Sequence, residues 1–362
     1  MRVLFSAGLG MPAVLRLVLL ARELQTAGHE VRFTCAARAR HRVTKAGLVP
    51  VLADPYRFSR AWRPDLVVYD PLCTDSTAMA AGAGVPTAAY LPYVHEPLPP
   101  QPTVWIDPCP ALIRARPEPD AWPVSCQAYE LPGQPTPWLT ELPLLPRVCI
   151  TGMPTGTRPE DRRRARLFHR VAEAVESLGM QLLVLNGDDH PWSLVLRGSV
   201  LVVHGGDEGV VYAAARFGVS QLVLPAGQEE QRAGQLIEQA GIGRCLTGDE
   251  PTDSVSMLRL RFHIAELVNG GRVLPAAAQL GTSIARMPTP ADLVPGIEAL
   301  LSRQESRQGG RQESRQGGRQ EGRQGGRQED VRGGRTEAGQ EVRRDSRPES
   351  RREGLEQIRQ EG

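Results

Sequence analysis

The residues most suited to chemistry lie where an apolar run breaks into glycines and acids. Val200-Leu201-Val202-Val203 reads as a strand, and it ends in His204-Gly205-Gly206-Asp207-Glu208-Gly209. Glycines let the backbone approach a ligand closely. Apolar residues at helical spacing (Val210, Val211, Ala214, Phe217) predict a helix from that point. A helix start aims N–H groups and a positive dipole end outward, which suits a phosphate or diphosphate. His204 is placed to add a donor to the same anion, and a side chain at Gly206 would take the room the phosphate needs. A tight strand-to-helix turn without a ligand uses the same residues, so both readings stand on the turn alone. Its spacing is neither G-x-G-x-x-G nor a Walker A loop, which disfavours nicotinamide and P-loop chemistry.

The surrounding run, Ser199 to Gly243, supplies the elements that would position this turn. Gly218 stops the helix, and a second apolar strand, Gln221-Leu222-Val223-Leu224, runs into Pro225-Ala226-Gly227-Gln228-Glu229-Glu230-Gln231. Strand, turn, helix and strand make a βαβ unit with parallel strands. The histidine–glycine turn, the run Gly218 to Pro225 and the acid at Glu229 resemble the nucleotide-sugar site of family 1 glycosyltransferases. The closest type is the one that decorates macrolide and polyketide antibiotics, as in erythromycin biosynthesis protein CIII. The resemblance covers most of residues 1–302 and thins over 52–60 and 92–146.

What the resemblance implies is specific. The fold is expected to be α/β, the GT-B arrangement of two Rossmann-like domains facing a cleft. His204, Gly205, Gly206, Asp207, Glu208 and Gly209 are expected to hold the diphosphate of an NDP-sugar, and Glu229 and Glu230 to hold sugar hydroxyls. The partners are that donor and a small hydroxylated acceptor, with a helper protein or a homodimer also open; no cofactor and no metal are expected. Two departures stand out. The turn carries one extra residue before the helix, and Glu229-Glu230 stands where the family has an acid followed by glutamine.

Inverting sugar transfer needs a base for the acceptor hydroxyl, and a histidine oriented by a carboxylate fits that task. The resemblance puts the carboxylate at Asp70, at the end of the run Asp65-Leu66-Val67-Val68-Tyr69-Asp70, and the histidine at position 13. Position 13 is Ala13, and no histidine occurs between Met1 and Gly28. Asp70 acting alone, or His95 from a later loop, are the replacements within the chain. Asp70 also suits a helix cap or turn acid. A non-catalytic binding or helper protein that keeps part of the donor site is therefore the rival reading, and a GT-B nucleotide-sugar epimerase is a third.

The order of the elements predicts three regions. Residues 1–146 read as the acceptor-side Rossmann-like domain, opening with the strand Arg2-Val3-Leu4-Phe5, a glycine loop and a helix from Val14 to Ala27. Within it, 92–146 is proline-rich and reads as irregular loop. Residues 147–302 read as the nucleotide-sugar domain, from the strand Arg147-Val148-Cys149-Ile150-Thr151 to terminal helices, the last of which is expected to pack back across the junction. From Arg303 an Arg-Gln-Glu-Ser-Arg-Gln-Gly-Gly repeat begins, and residues 303–362 hold fifteen arginines and twelve acids with almost no large apolar residue. Such a composition cannot offset its ordering entropy and reads as a disordered tail.

Composition narrows the rest. The formal net charge of the 362 residues is only +2, without the basic footprint of a nucleic-acid binder. Lys45 is the only lysine. Six cysteines are scattered without a C-x-x-C pair, which disfavours a metal site. No run is long and apolar enough for a membrane span and the start lacks a secretory pattern, so the chain is expected to be cytoplasmic. His29, between a helix and a strand, reads as structural.

Overall fold

The computed structural model describes residues 1–8, 11–93, 101–127, 129–130, 143–185, 191–247 and 253–302, with the side chains of 11–13 excepted. His95 and the tail 303–362 lie outside the described residues. Continuous apolar runs form strands buried on both faces, as parallel sheets require. β1 (Arg2–Ser6), β2 (Glu30–Thr34), β3 (Pro50–Val51), β4 (Leu66–Tyr69), β5 (Thr87–Tyr90), β6 (Val104–Asp107) and β7 (Trp122–Pro123) make one sheet in the order β3-β2-β1-β4-β5-β6-β7. β8 (Arg147–Thr151), β9 (Gln181–Leu185), β10 (Ser199–His204), β11 (Ser220–Val223) and β12 (Gly243–Cys245) make a second, ordered β12-β11-β10-β8-β9. Every pairing in both sheets is parallel. Each sheet is doubly wound, the first in Rossmann order and the second in flavodoxin order.

Two positions follow from that topology. Strand order reverses between β1 and β4 in the first sheet and between β8 and β10 in the second. Ligands gather at the carboxyl ends of strands at such switch points. Ser6 and Asp70 lie at the first, joined where the Asp70 amide donates to the Ser6 carbonyl at 3.0 Å. Thr151 and His204 end the strands at the second.

Helix α1 (Met11–Thr26) leaves β1 and buries Val14, Leu17, Val18, Leu20, Ala21 and Leu24 against the sheet. Arg16 is the charged residue between Val14 and Ala21 of this helix. The helix at 294–302 follows the second sheet in sequence but packs on the first. Leu293, Val294 and Ile297 are buried in the same core as α1, and His29 Nε2 lies 2.9 Å from Glu298 Oε1. That is the structural role expected of His29.

The stretch 92–146, read from its prolines as irregular, contributes β6 and β7 to the first sheet. These strands are only four and two residues long, and they form because β5 offers them an unpaired edge. A strand that owes its existence to a neighbour leaves little periodic signal.

Candidate functional site

β10 ends at His204, and β11 lies beside it with His204 opposite Val223. The imidazole turns inward. Its Nδ1 accepts from the Gly206 amide at 3.1 Å, and its Nε2–H donates to Gln221 Oε1 at 3.1 Å. Gln221 is itself buried on β11. Burial, with Arg164 adding to it, pushes the His204 pKa down to about 4, so the ring is neutral near pH 7. In this arrangement both ring nitrogens serve the turn rather than a ligand.

Gly206 has φ +100°, a conformation that favours glycine. A Cβ there would sit 2.7 Å from Glu230 Cβ and 3.0 Å from its Cα. A side chain at Gly206 would therefore meet Glu230 of the neighbouring helix first. Gly205 faces Arg164, whose Nε donates to the Leu224 carbonyl at 3.0 Å.

Helix α7 (Glu208–Phe217) starts immediately after, and Asp207 is its N-cap. The Asp207 carboxylate accepts from the Gly209 amide at 2.9 Å and from the Val210 amide at 3.4 Å. These are among the N–H groups that the sequence reading assigned to an anion. Asp207 and Glu208 thus put two acids at the positive end of the helix. Glu229 and Glu230 occupy the first turn of α8 (Gln228–Gln239), whose N-cap Gly227 supplies no side-chain cap.

Sequence reasoning missed Arg16, although a lone arginine inside an apolar helical run was a usable signal. Its Nη1 donates to both carboxylate oxygens of Glu208, at 2.6 and 2.7 Å. The contact joins the first helix to the glycine turn, 192 residues away in sequence. Burial works to lower the Arg16 pKa, but Glu208 and then Asp70 outweigh it and hold the guanidinium above its ordinary value.

Between the two sheets lies a cavity of about 260 Å³. Leu15, Leu19, Pro108, Val124 and Cys126 give it apolar walls. Arg16, Thr151, Gly152, Asp207, Glu208 and Gly209 line its polar side, with Tyr90, Trp192 and Tyr212 also in its wall. Tyr212 is almost fully buried, and its hydroxyl makes no hydrogen bond of ordinary geometry among the described residues. Burial first, then the neighbouring Cys109 thiol, pushes its pKa well above the tyrosine range, so it stays a proton donor.

Asp70 stands apart from this wall. It is buried, its Oδ1 accepts from the Leu72 amide at 3.1 Å, and it reaches the cavity only through the field at Arg16. Position 13 lies in the first turn of α1, one turn before Arg16. The structure therefore brings His204 to Gly209 together with Glu230 around one turn, of which Asp207, Glu208 and Gly209 line the cavity, and it leaves Asp70 off that lining. Among the described residues no cluster of His, Cys, Asp and Glu has the arrangement of a metal site.

Residues 184–300 match the family described as Erythromycin biosynthesis protein CIII-like, C-terminal domain. The chain is 27% identical over 305 residues to L-demethylnoviosyl transferase of Streptomyces niveus, covering 73% of this chain and 78% of that one. Its fold is similar to that of spinosyn forosaminyltransferase SpnP, with a TM-score of 0.72, 24% identity and coverage of 83% of this chain and 99% of that chain. It is also similar to glycosyltransferase VinC solved with dTDP, with a TM-score of 0.70, 19% identity and coverage of 84% and 100%. Residues 184–300 thus carry the match to the erythromycin biosynthesis protein CIII-like family, and the fold is the GT-B fold of the solved glycosyltransferases.

Proposed function

We propose that the protein transfers a sugar, with inversion, from a nucleoside-diphosphate donor to a hydroxyl of a small polyketide- or macrolide-like acceptor. The observation that carries this reading is the cavity between the sheets. It has apolar walls suited to an aglycone on one side and the glycine turn of a glycosyltransferase C-terminal domain on the other. The relative solved with dTDP supports the donor class. Asp70 is the carboxylate that the resemblance pairs with the expected base, and it follows β4 at the first sheet's switch point.

A second reading has a specific observation behind it. The position that the resemblance assigns to the base is Ala13, and two acids, the cap Asp207 and Glu208 after it, stand at the helix start where a diphosphate would sit. A binding or helper protein that keeps this fold without turnover accounts for both. The experiment is an assay of the wild type against a panel of nucleotide sugars and polyketide aglycones, with Asp70→Asn alongside. Acceptor-dependent product that disappears in Asp70→Asn supports the transferase reading and the role of Asp70. Product that persists in the variant removes that role, donor consumption without an acceptor indicates an epimerase, and nucleotide binding without any product favours the second reading.

A further inference from the structure

We propose that Arg16 is the counter-ion of the donor's diphosphate and that Glu208 competes with the diphosphate for it. The inference rests on the donor class proposed above and adds a residue that the turn itself does not contain. A guanidinium recognises carboxylate and phosphate oxygens by the same geometry, N–H donors directed at paired anionic oxygens. Glu208 is the first residue of α7, so its carboxylate lies beside the N–H groups to which the family's diphosphate is expected to bind. Arg16 donates to both oxygens of that carboxylate and lines the same cavity wall as Gly152, Asp207 and Gly209. An anion entering this turn meets Arg16 within one carboxylate's length.

Charge explains why an exchange is required rather than simple addition. Arg16 faces Glu208 directly and also feels Asp70, Asp207 already accepts the Gly209 and Val210 amides, and the other cation at the turn, Arg164, stands at Gly205 and donates to the Leu224 carbonyl. A diphosphate arriving beside an intact Arg16–Glu208 pair would add negative charge to carboxylates without gaining the guanidinium that Glu208 holds. Release of Glu208 into the solvent-facing side of the cleft gives the guanidinium to the phosphate oxygens. The Glu208 side chain is 21% exposed against 13% for Arg16, so it is the partner with water to receive it.

The test is calorimetric titration of thymidine diphosphate and of thymidine into the wild type, Arg16→Ala and Glu208→Gln, at two salt concentrations. The expected result is that Arg16→Ala weakens the diphosphate by roughly ten-fold or more while leaving thymidine unchanged. Glu208→Gln, which keeps the shape and removes the competing charge, is expected to tighten the diphosphate several-fold. Melting curves guard against a misfolded Arg16→Ala, and Glu208→Gln carries the test independently. Unchanged diphosphate affinity in folded Arg16→Ala, or weaker affinity in Glu208→Gln, overturns the assignment of Arg16 while the donor reading survives. No diphosphate binding by any of the three proteins overturns both.

Discussion

At the scale of single residues, His204 shows how a side chain of the right type at the right place can face the wrong way for its expected task. Both ring nitrogens are bonded inside the protein, and burial depresses its pKa from 6.5 to about 4. The sign of the consequence is fixed. Between about pH 6.5 and pH 4 the unfolded chain binds a proton that the folded one refuses. This contribution to stability is therefore whole above pH 6.5 and is lost as pH falls toward 4. Its size is on the order of 3 kcal/mol at about 1.4 kcal/mol per pH unit. Urea unfolding from pH 8 to pH 4 should show the decline, and His204→Gln should be less stable at pH 8 and flatter across the window. Gly206 makes a parallel case. Gly206→Ala puts a Cβ against Glu230 in a backbone conformation that alanine resists, at a cost of roughly 1–3 kcal/mol. The expected result is a lower melting temperature with or without nucleotide, rather than a selective loss of binding. The composition of the turn was legible in the sequence. The direction of the imidazole was not, because it depends on Gln221, seventeen residues on and brought beside it by strand pairing.

At the scale of elements, the strongly periodic segments were readable and the dependent ones were not. β1, β4, β8 and β10 are apolar runs that need burial on both faces, and each falls where the alternation of strand and helix puts it. β6 and β7 escaped because a two-residue strand has no period of its own and exists only beside β5 and then β6. The N-cap of α7 was available as a signal, since Asp207 stands three residues before the first apolar-periodic residue, Val210. Reading it as a phosphate ligand hid its simpler role as the helix's own acceptor. Asp207→Ala should therefore destabilise the protein by about 0.5–2 kcal/mol, and Asp207→Asn by much less, because asparagine caps nearly as well. Thermal melts of the two variants check this, and equal losses would show that charge rather than capping is what Asp207 contributes.

At the scale of the molecule, the chain order and the packing order differ. The helix at 294–302 is the end of the second sheet's half in sequence, yet its apolar face completes the core of the first, beside Val14, Leu17 and Val31. Trp122 on β7 packs against Gly296, where even a Cβ would come within 3.0 Å of the ring, so the return of the chain also covers the edge strand. The Ser125 amide donates to the Pro288 carbonyl at 2.7 Å on the same route. This crossing was expected from the family resemblance but had no support in periodicity, because an amphipathic helix does not announce which sheet it covers. Ile297 is the residue on which it turns, with its side chain fully buried. Ile297→Ala should cost about 2–5 kcal/mol and Ile297→Val about 0.5–1.5 kcal/mol, the range for a deleted core side chain against a trimmed one. The location of the loss is the sharper prediction. Hydrogen exchange should accelerate first at the amides of β1 and β2, while those of β8 and β10 keep their protection. Acceleration confined to β8 and β10 would mean that the helix belongs to the half it follows in sequence.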